Sequence, residues 1–186
     1  MAAMRQGYID TSNQISVLTS CHHYLSQRRS TYEFRSIRYE AVYNQLKELG
    51  LKNGDSIVDV GAGDQEFLRY LEEQDWTGDY TPVDGLIDGT DLNLWVPDKK
   101  ADYFVCIEVV EHLYKPLEML YTLDLFALKG AVVTTPNPTV VDVYAMDSTH
   151  ISEVSAMDFC RQGWKVVPQI FFFEPEDSLM AWVDNR

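Results

Sequence analysis

The chain has 186 residues, of which 46% are hydrophobic and 24% charged, values that fit one folded domain and exclude a disordered chain. Its 15 Lys and Arg face 29 Asp and Glu, for a net charge of −14. That balance argues against a nucleic-acid partner and against docking on an anionic membrane, because both rest on clustered cations. Cys21, Cys106 and Cys160 form no CxxC pair, so a reducing compartment is expected. The opening MAAMRQGYIDTSNQ holds no apolar signal stretch, and the longest apolar clusters, FVCI at 104–107 and IFFF at 170–173, are too short to span a bilayer. A cytoplasmic protein is the expectation.

Residues 1–30 are polar and mixed. Across 31–49, Phe34, Ile37, Val42, Leu46 and Leu49 fall near helical spacing and Gly50 supplies a stop, which predicts a helix. Residues 1–49 are expected to form a helical segment that covers cofactor or substrate, and 50–186 the main domain. SIVDVG predicts a strand that runs into glycines, and QEFLRYLEEQ a helix with Phe67, Leu68 and Leu71 on one side. DYTPVD at 79–84 and ADYFVCIEV at 101–109 predict two further strands. PLEMLYTLDLFAL at 116–128 predicts a helix, AVVTT at 131–135 a buried strand, and VSAMDFCRQG at 154–163 a helix ending at Gly163. WKVVPQIFFF and SLMAWV, joined by EPED, predict an antiparallel closing pair, with Pro168 confining its strand to an edge. The alternation predicts an α/β fold: a doubly wound, mostly parallel sheet covered on both faces.

The most informative segment is IVDVGAGDQEF at 57–67, a strand, a glycine turn and a helix in direct succession. Glycine lets the backbone turn sharply and lets a ligand approach it closely. A dinucleotide fingerprint would place a third glycine where Glu66 stands, and a pyrophosphate would meet Asp64 and Glu66 there. NAD is therefore discounted, and a ligand carrying positive charge or a ribose is favoured. Asp84 ends the second strand near the spacing of about 20 residues expected for an acid that binds ribose hydroxyls.

DVGAGDQEF, TPVDG, the DLN at 91–93, DYFVCIEVVEHL and VVTTPNP together resemble the class I S-adenosylmethionine-dependent methyltransferases. Within that class, EVVEH and TTPN resemble the branch of ubiquinone-biosynthesis O-methyltransferases and small-RNA 2′-O-methyltransferases. The resemblance spans about residues 50–184 and implies a Rossmann-like fold with S-adenosyl-L-methionine as cofactor. It implies that Asp59, Gly61, Ala62 and Gly63 surround the methionine end, and that Asp84 and Gly85 hold the ribose. Asp91 and Leu92 would flank the adenine, and Glu108 would stand beside the sulfonium with His112 nearby. Gln65 replaces the third glycine of the family turn. Only Gly85 to Thr90 separate Asp84 from Asp91, so the sheet is expected to be shortened between the family's second and fourth strands, with no helix there and a third strand of a few residues.

Glu108, Glu111 and His112 stand at i, i+3 and i+4, which one helical turn would bring to one face. With His150 they could hold a divalent metal, as such a set does in the resembling small-RNA branch. The metal-free reading is preferred, because methyl transfer needs no metal. In it Glu111 orients His112, and His112 acts as base toward a hydroxyl of a small-molecule acceptor. A metal-dependent RNA-modifying enzyme and a non-catalytic cofactor-binding domain are the alternatives. Cys106, Trp76, Trp95 and Trp182 read as packing residues. His22, His23, Tyr8, Tyr24, Tyr32 and Tyr39 read as surface, packing or lid contacts, and substrate recognition is expected from residues 1–40 and the loop 136–150.

Overall fold

The computed structural model describes residues 31–186, so the expectations for His22, His23, Tyr8, Tyr24 and Cys21 lie outside the described residues. Helix α1 (Tyr32–Glu48) is followed by β1 (Ser56–Val60), α2 (Glu66–Glu73), β2 (Asp79–Val83) and a single turn, α3 (Gly85–Asp88). Then come β3 (Ala101–Ile107), a 3₁₀ turn at Val110–His112, α4 (Pro116–Phe126) and β4 (Ala127–Pro136). The chain closes with α5 (Val143–Met146), α6 (Ala156–Arg161), β5 (Lys165–Gln169) and β6 (Ser178–Asp184). It divides into two units, residues 1–35 and 36–186. In the first, the Thr31 hydroxyl accepts from the Phe34 N–H at 3.3 Å.

The second unit holds the sheet, with strand order β2-β1-β3-β4-β6-β5. The first four of these run parallel, β6 pairs antiparallel with β4, and β5 antiparallel with β6. β3 and β4 read as near-continuous apolar runs because both of their faces are covered. Phe104, Cys106, Val133 and Ala181 lie at the centre of the core, where Met119, Leu120 and Leu123 of α4 and Phe159 of α6 pack on them. Cys106 is thus the small buried residue expected. Val42, Leu46 and Leu49 of the 36–49 stretch are also buried, and the Tyr103 hydroxyl donates to the Leu49 carbonyl at 2.7 Å. Pro168 lies on the edge strand β5, as its missing donor requires.

Three expectations need correction. Segment 85–90 was expected to hold no helix, yet α3 forms as one turn because the Asp84 carboxylate accepts the Leu86 N–H at 2.8 Å and caps it. The short third strand does not form at all: residues 89–100 pair with no strand, which leaves β2 as the sheet's other edge. IFFF is not part of β5. Its chain leaves the ladder after Gln169 and wraps the fully buried Asp177, whose carboxylate accepts the N–H groups of Phe171, Phe172, Phe173 and Glu174 at 2.7–3.0 Å. Four charge-assisted backbone bonds outweigh the β-propensity of the aromatic run.

Candidate active site

The carboxyl ends of β1, β2, β3 and β4 form one rim, the place where open α/β sheets bind ligands. At β1 the chain turns through Gly61, Ala62 and Gly63, held down by the Gly61 and Ala62 N–H groups donating to the Val83 carbonyl at 2.8 and 3.3 Å. Gly61 has φ +81°, and a Cβ there would lie 2.3 Å from Cγ2 of Val109. Gly63 has φ +48°, with nothing within 4 Å of its Cβ position, so a ligand can approach the backbone there. Its N–H donates to Asp84 Oδ2 at 2.9 Å, which ties the end of β2 to the turn. Gln65, in the place of the third glycine, takes the left-handed conformation at φ +58°.

Asp59 lies inside the protein, only 3% exposed, and accepts a hydrogen bond from the Tyr80 hydroxyl. Burial pushes its carboxyl up to about 7; the Tyr80 bond opposes that rise and the Asp84 charge adds to it. Asp59 thus lies in β1 two residues before Gly61, bonded to Tyr80 of β2.

Glu108 follows the end of β3 in the left-handed region, φ +55°, which is strained for a residue with a side chain. Its N–H donates to the carbonyl and hydroxyl of Thr134 at 3.1 and 3.2 Å. Its Oε1 is buried without a hydrogen-bond partner. A buried acceptor without a partner is uncommon, and a functional role is one of its recognised causes. Because Val109 is the residue that meets Gly61, the Glu108 carboxylate starts one residue from the glycine turn.

Glu111 is 1% exposed and accepts from the Thr135 hydroxyl at 3.2 Å. Burial, then the Glu108 charge, push its carboxyl well above the usual range, while Arg38 pulls it down. His112 is half-buried, with Nδ1 at 3.2 Å from the Thr149 carbonyl and 3.1 Å from its hydroxyl. Nδ1–H donation to that carbonyl leaves Nε2 with a lone pair. Burial, the largest influence, holds the imidazole below its usual pKa. Nδ1 of His150 stands 2.6 Å from the Val143 carbonyl, and its ring meets that of His112 edge-on at 4.7 Å.

The four-residue set expected at 108, 111, 112 and 150 resolves into three and one. Ligating atoms of Glu111, His112 and His150 lie within 4.8 Å of one another, and Glu108 stands outside that group. The 3₁₀ turn begins only at Val110, so Glu108 does not share a helical face with Glu111 and His112. Nor is His112 oriented by Glu111; Thr149 of the following loop holds it.

The residues fit S-adenosyl-L-methionine at its polar end. Gly63 offers an open backbone, Asp84 an acceptor at the end of β2, and Glu108 an orphan acceptor suited to a cation. On the expected adenine side, the exposed Asp91 carboxylate accepts from the Asn93 N–H and side-chain amide at 3.0 and 3.2 Å. Leu92 lines a cavity of about 260 Å³ with Trp95 and Met119, and Gly85 is exposed at the start of α3. Sequence reasoning missed Val109, Tyr80 and Arg38. Tyr80 had a usable signal, since a Tyr on β2 two positions before the residue paired with Asp59 shares its face of the sheet.

Comparison with known proteins speaks to the family and the fold. A family described as a methyltransferase domain matches residues 30–186. No curated protein matches the chain. Among solved structures, a SAM-dependent methyltransferase from Archaeoglobus fulgidus is similar at 15% identity, with a TM-score of 0.58 over 87% of this chain and 97% of that one. The plantazolicin methyltransferase BpumL, in complex with a triazolic analogue and SAH, is similar at 16% identity and a TM-score of 0.58, covering 88% and 89% of the two chains. A SAM-dependent methyltransferase from Aquifex aeolicus is similar at 19% identity and a TM-score of 0.51, covering 75% and 87%. These identities speak to the fold alone. The family match spans the glycine turn, Asp84, Glu108 and the histidine loop alike, and by it the chain belongs to the methyltransferase-domain family.

Proposed function

We propose that the chain transfers the methyl group of S-adenosyl-L-methionine to an oxygen of a small-molecule acceptor. Family membership supports the reaction class, and the bound SAH of the similar BpumL structure supports the cofactor. The observation that carries the reading is the buried Glu108 Oε1, which lacks a partner at the rim next to the open Gly63. The cofactor supplies an already electrophilic methyl group, so the protein's task is alignment and exclusion of water. Asp84 holds ribose hydroxyls and Glu108 receives positive charge. His112, kept neutral by burial, takes the acceptor proton on Nε2 while Thr149 fixes its ring. Turnover of S-adenosylmethionine to S-adenosylhomocysteine with a panel of hydroxylated acceptors tests the proposal. Tight binding without turnover across the panel would instead favour a non-catalytic binding domain.

A second reading has its own support. Both histidines turn Nδ1 toward backbone carbonyls and leave Nε2 for a ligand, the usual support for metal-binding imidazoles. With Glu111 they would form a compact set of two imidazoles and a carboxyl for a divalent ion, one that suits manganese better than magnesium. Burial and the Glu108 charge strengthen the hold of Glu111 on a proton, and an ion that displaces that proton gives a release that calorimetry in two buffers of different ionisation enthalpy registers. Activity insensitive to chelator, with no such release, would exclude this reading.

A further inference from the structure

Among the described residues Arg38 is the one buried cation, and the methyl-transfer reading leaves its role open. On α1, it is 8% exposed, and its Nε is buried without a hydrogen-bond partner. Among the described residues the guanidinium makes no ion pair; it lies over the Phe172 ring, 4.7 Å from the centroid. Phe172 is itself fixed, since its N–H is bound by Asp177, whose carbonyl receives the Asn137 N–H just past β4 at 2.9 Å. Arg38 thus stands at the β4–β6 end of the rim, close enough to Glu111 to lower its proton affinity.

A buried guanidinium without a counterion is costly, and such groups are kept neutralised. Neither nearby acid does this. Among the described residues neither forms an ion pair with it: Glu111 accepts from the Thr135 hydroxyl, and Glu108 Oε1 has no hydrogen-bond partner. The fork of guanidinium donors matches an oxyanion in two-pronged fashion, and stacking on Phe172 holds its plane. In a chain of net charge −14, an anion would be repelled unless a local cation received it.

We infer that Arg38 binds an oxyanion group, carboxylate or phosphate, carried by the methyl acceptor, and so selects acidic acceptors. The inference rests on the methyltransferase reading but is testable apart from it. The full chain, labelled with ¹⁵N-arginine and saturated with S-adenosylhomocysteine, is titrated with sodium phosphate and, separately, sodium acetate; sodium chloride serves as the ionic-strength control. The Nε–H resonance of Arg38, assigned by its absence from Arg38→Lys and Arg38→Gln, is expected to shift saturably with phosphate, acetate or both. Which of the two acts distinguishes a tetrahedral from a planar group. Arg38→Gln should weaken that binding at least tenfold, and Arg38→Lys by less, since it keeps the charge and loses the fork. A resonance that follows phosphate and acetate no more than chloride, or equal binding to Arg38→Gln, overturns the inference. If Arg38→Gln does not fold, the wild-type titration with the Arg38→Lys assignment decides alone. Failure of the wild-type chain to bind S-adenosylhomocysteine would be a different result and would count against the cofactor reading.

Discussion

The Tyr80 hydroxyl donates to the buried carboxylate of Asp59, joining the edge strand β2 to the strand that delivers the glycine turn. The pair places an ionisable group inside the core directly before the residues on which a cofactor would rest. Its energetics therefore couple fold stability to the site.

Asp59 gives a pH dependence of definite sign. Its carboxyl is raised from 3.8 to about 7 in the folded chain, so between those values the native state holds the proton more tightly than the unfolded state. Its contribution to stability is complete below about 4 and is lost as pH rises toward and through 7, at a slope of at most about 1.4 kcal/mol per pH unit. Asp59→Asn removes the charge but keeps an acceptor for Tyr80. Melting curves from pH 4 to 8 should show the variant gaining on the wild type as pH rises and levelling off above 7; a constant difference would mean that Asp59 is ionised throughout.

Gly61 and Val109 make a second coupled pair. Gly61→Ala would drive a Cβ to 2.3 Å from Val109 Cγ2 at a φ of +81°, and should destabilise the fold by about 1–3 kcal/mol. Adding Val109→Ala should recover the overlap and leave the backbone strain. Denaturant titration of the single and double variants measures the coupling, and strictly additive losses would contradict the close approach.

His112 should appear in the pH–rate profile. Burial lowers its pKa, so the rate with a turning-over acceptor should rise through an inflection below 6.5 and then flatten. His112→Ala should abolish that inflection and lower kcat by about 10²–10⁴, with cofactor affinity little changed. A kcat that survives the substitution would remove His112 from the base role. If the ion reading holds instead, His150→Ala and chelator should each lower activity as much as His112→Ala does.

Much of this fold is legible in the sequence because its strongest signals are local. Apolar strands, the glycine turn and Pro168 each carry their meaning within a few residues. Asp84 and the turn could be paired by spacing alone. What escaped the sequence depends on contacts across the fold. Asp177 unmakes a strand out of IFFF through four backbone bonds, and Thr149 holds His112 across 37 positions of chain. The separation of Glu108 from Glu111 and His112 turns on one left-handed residue, which an i, i+3, i+4 pattern does not reveal.

The central claim is that the strand-end rim binds S-adenosylmethionine through the glycine turn and Asp84. Calorimetric titration with S-adenosylhomocysteine against the wild-type chain and Asp84→Ala tests it most directly. One-site binding to the wild type is expected, weakened by about 1–3 kcal/mol in the variant, which loses both the ribose acceptor and the tether to the Gly63 N–H. Unchanged affinity in a folded Asp84→Ala protein, or no binding to the folded wild type, would contradict it.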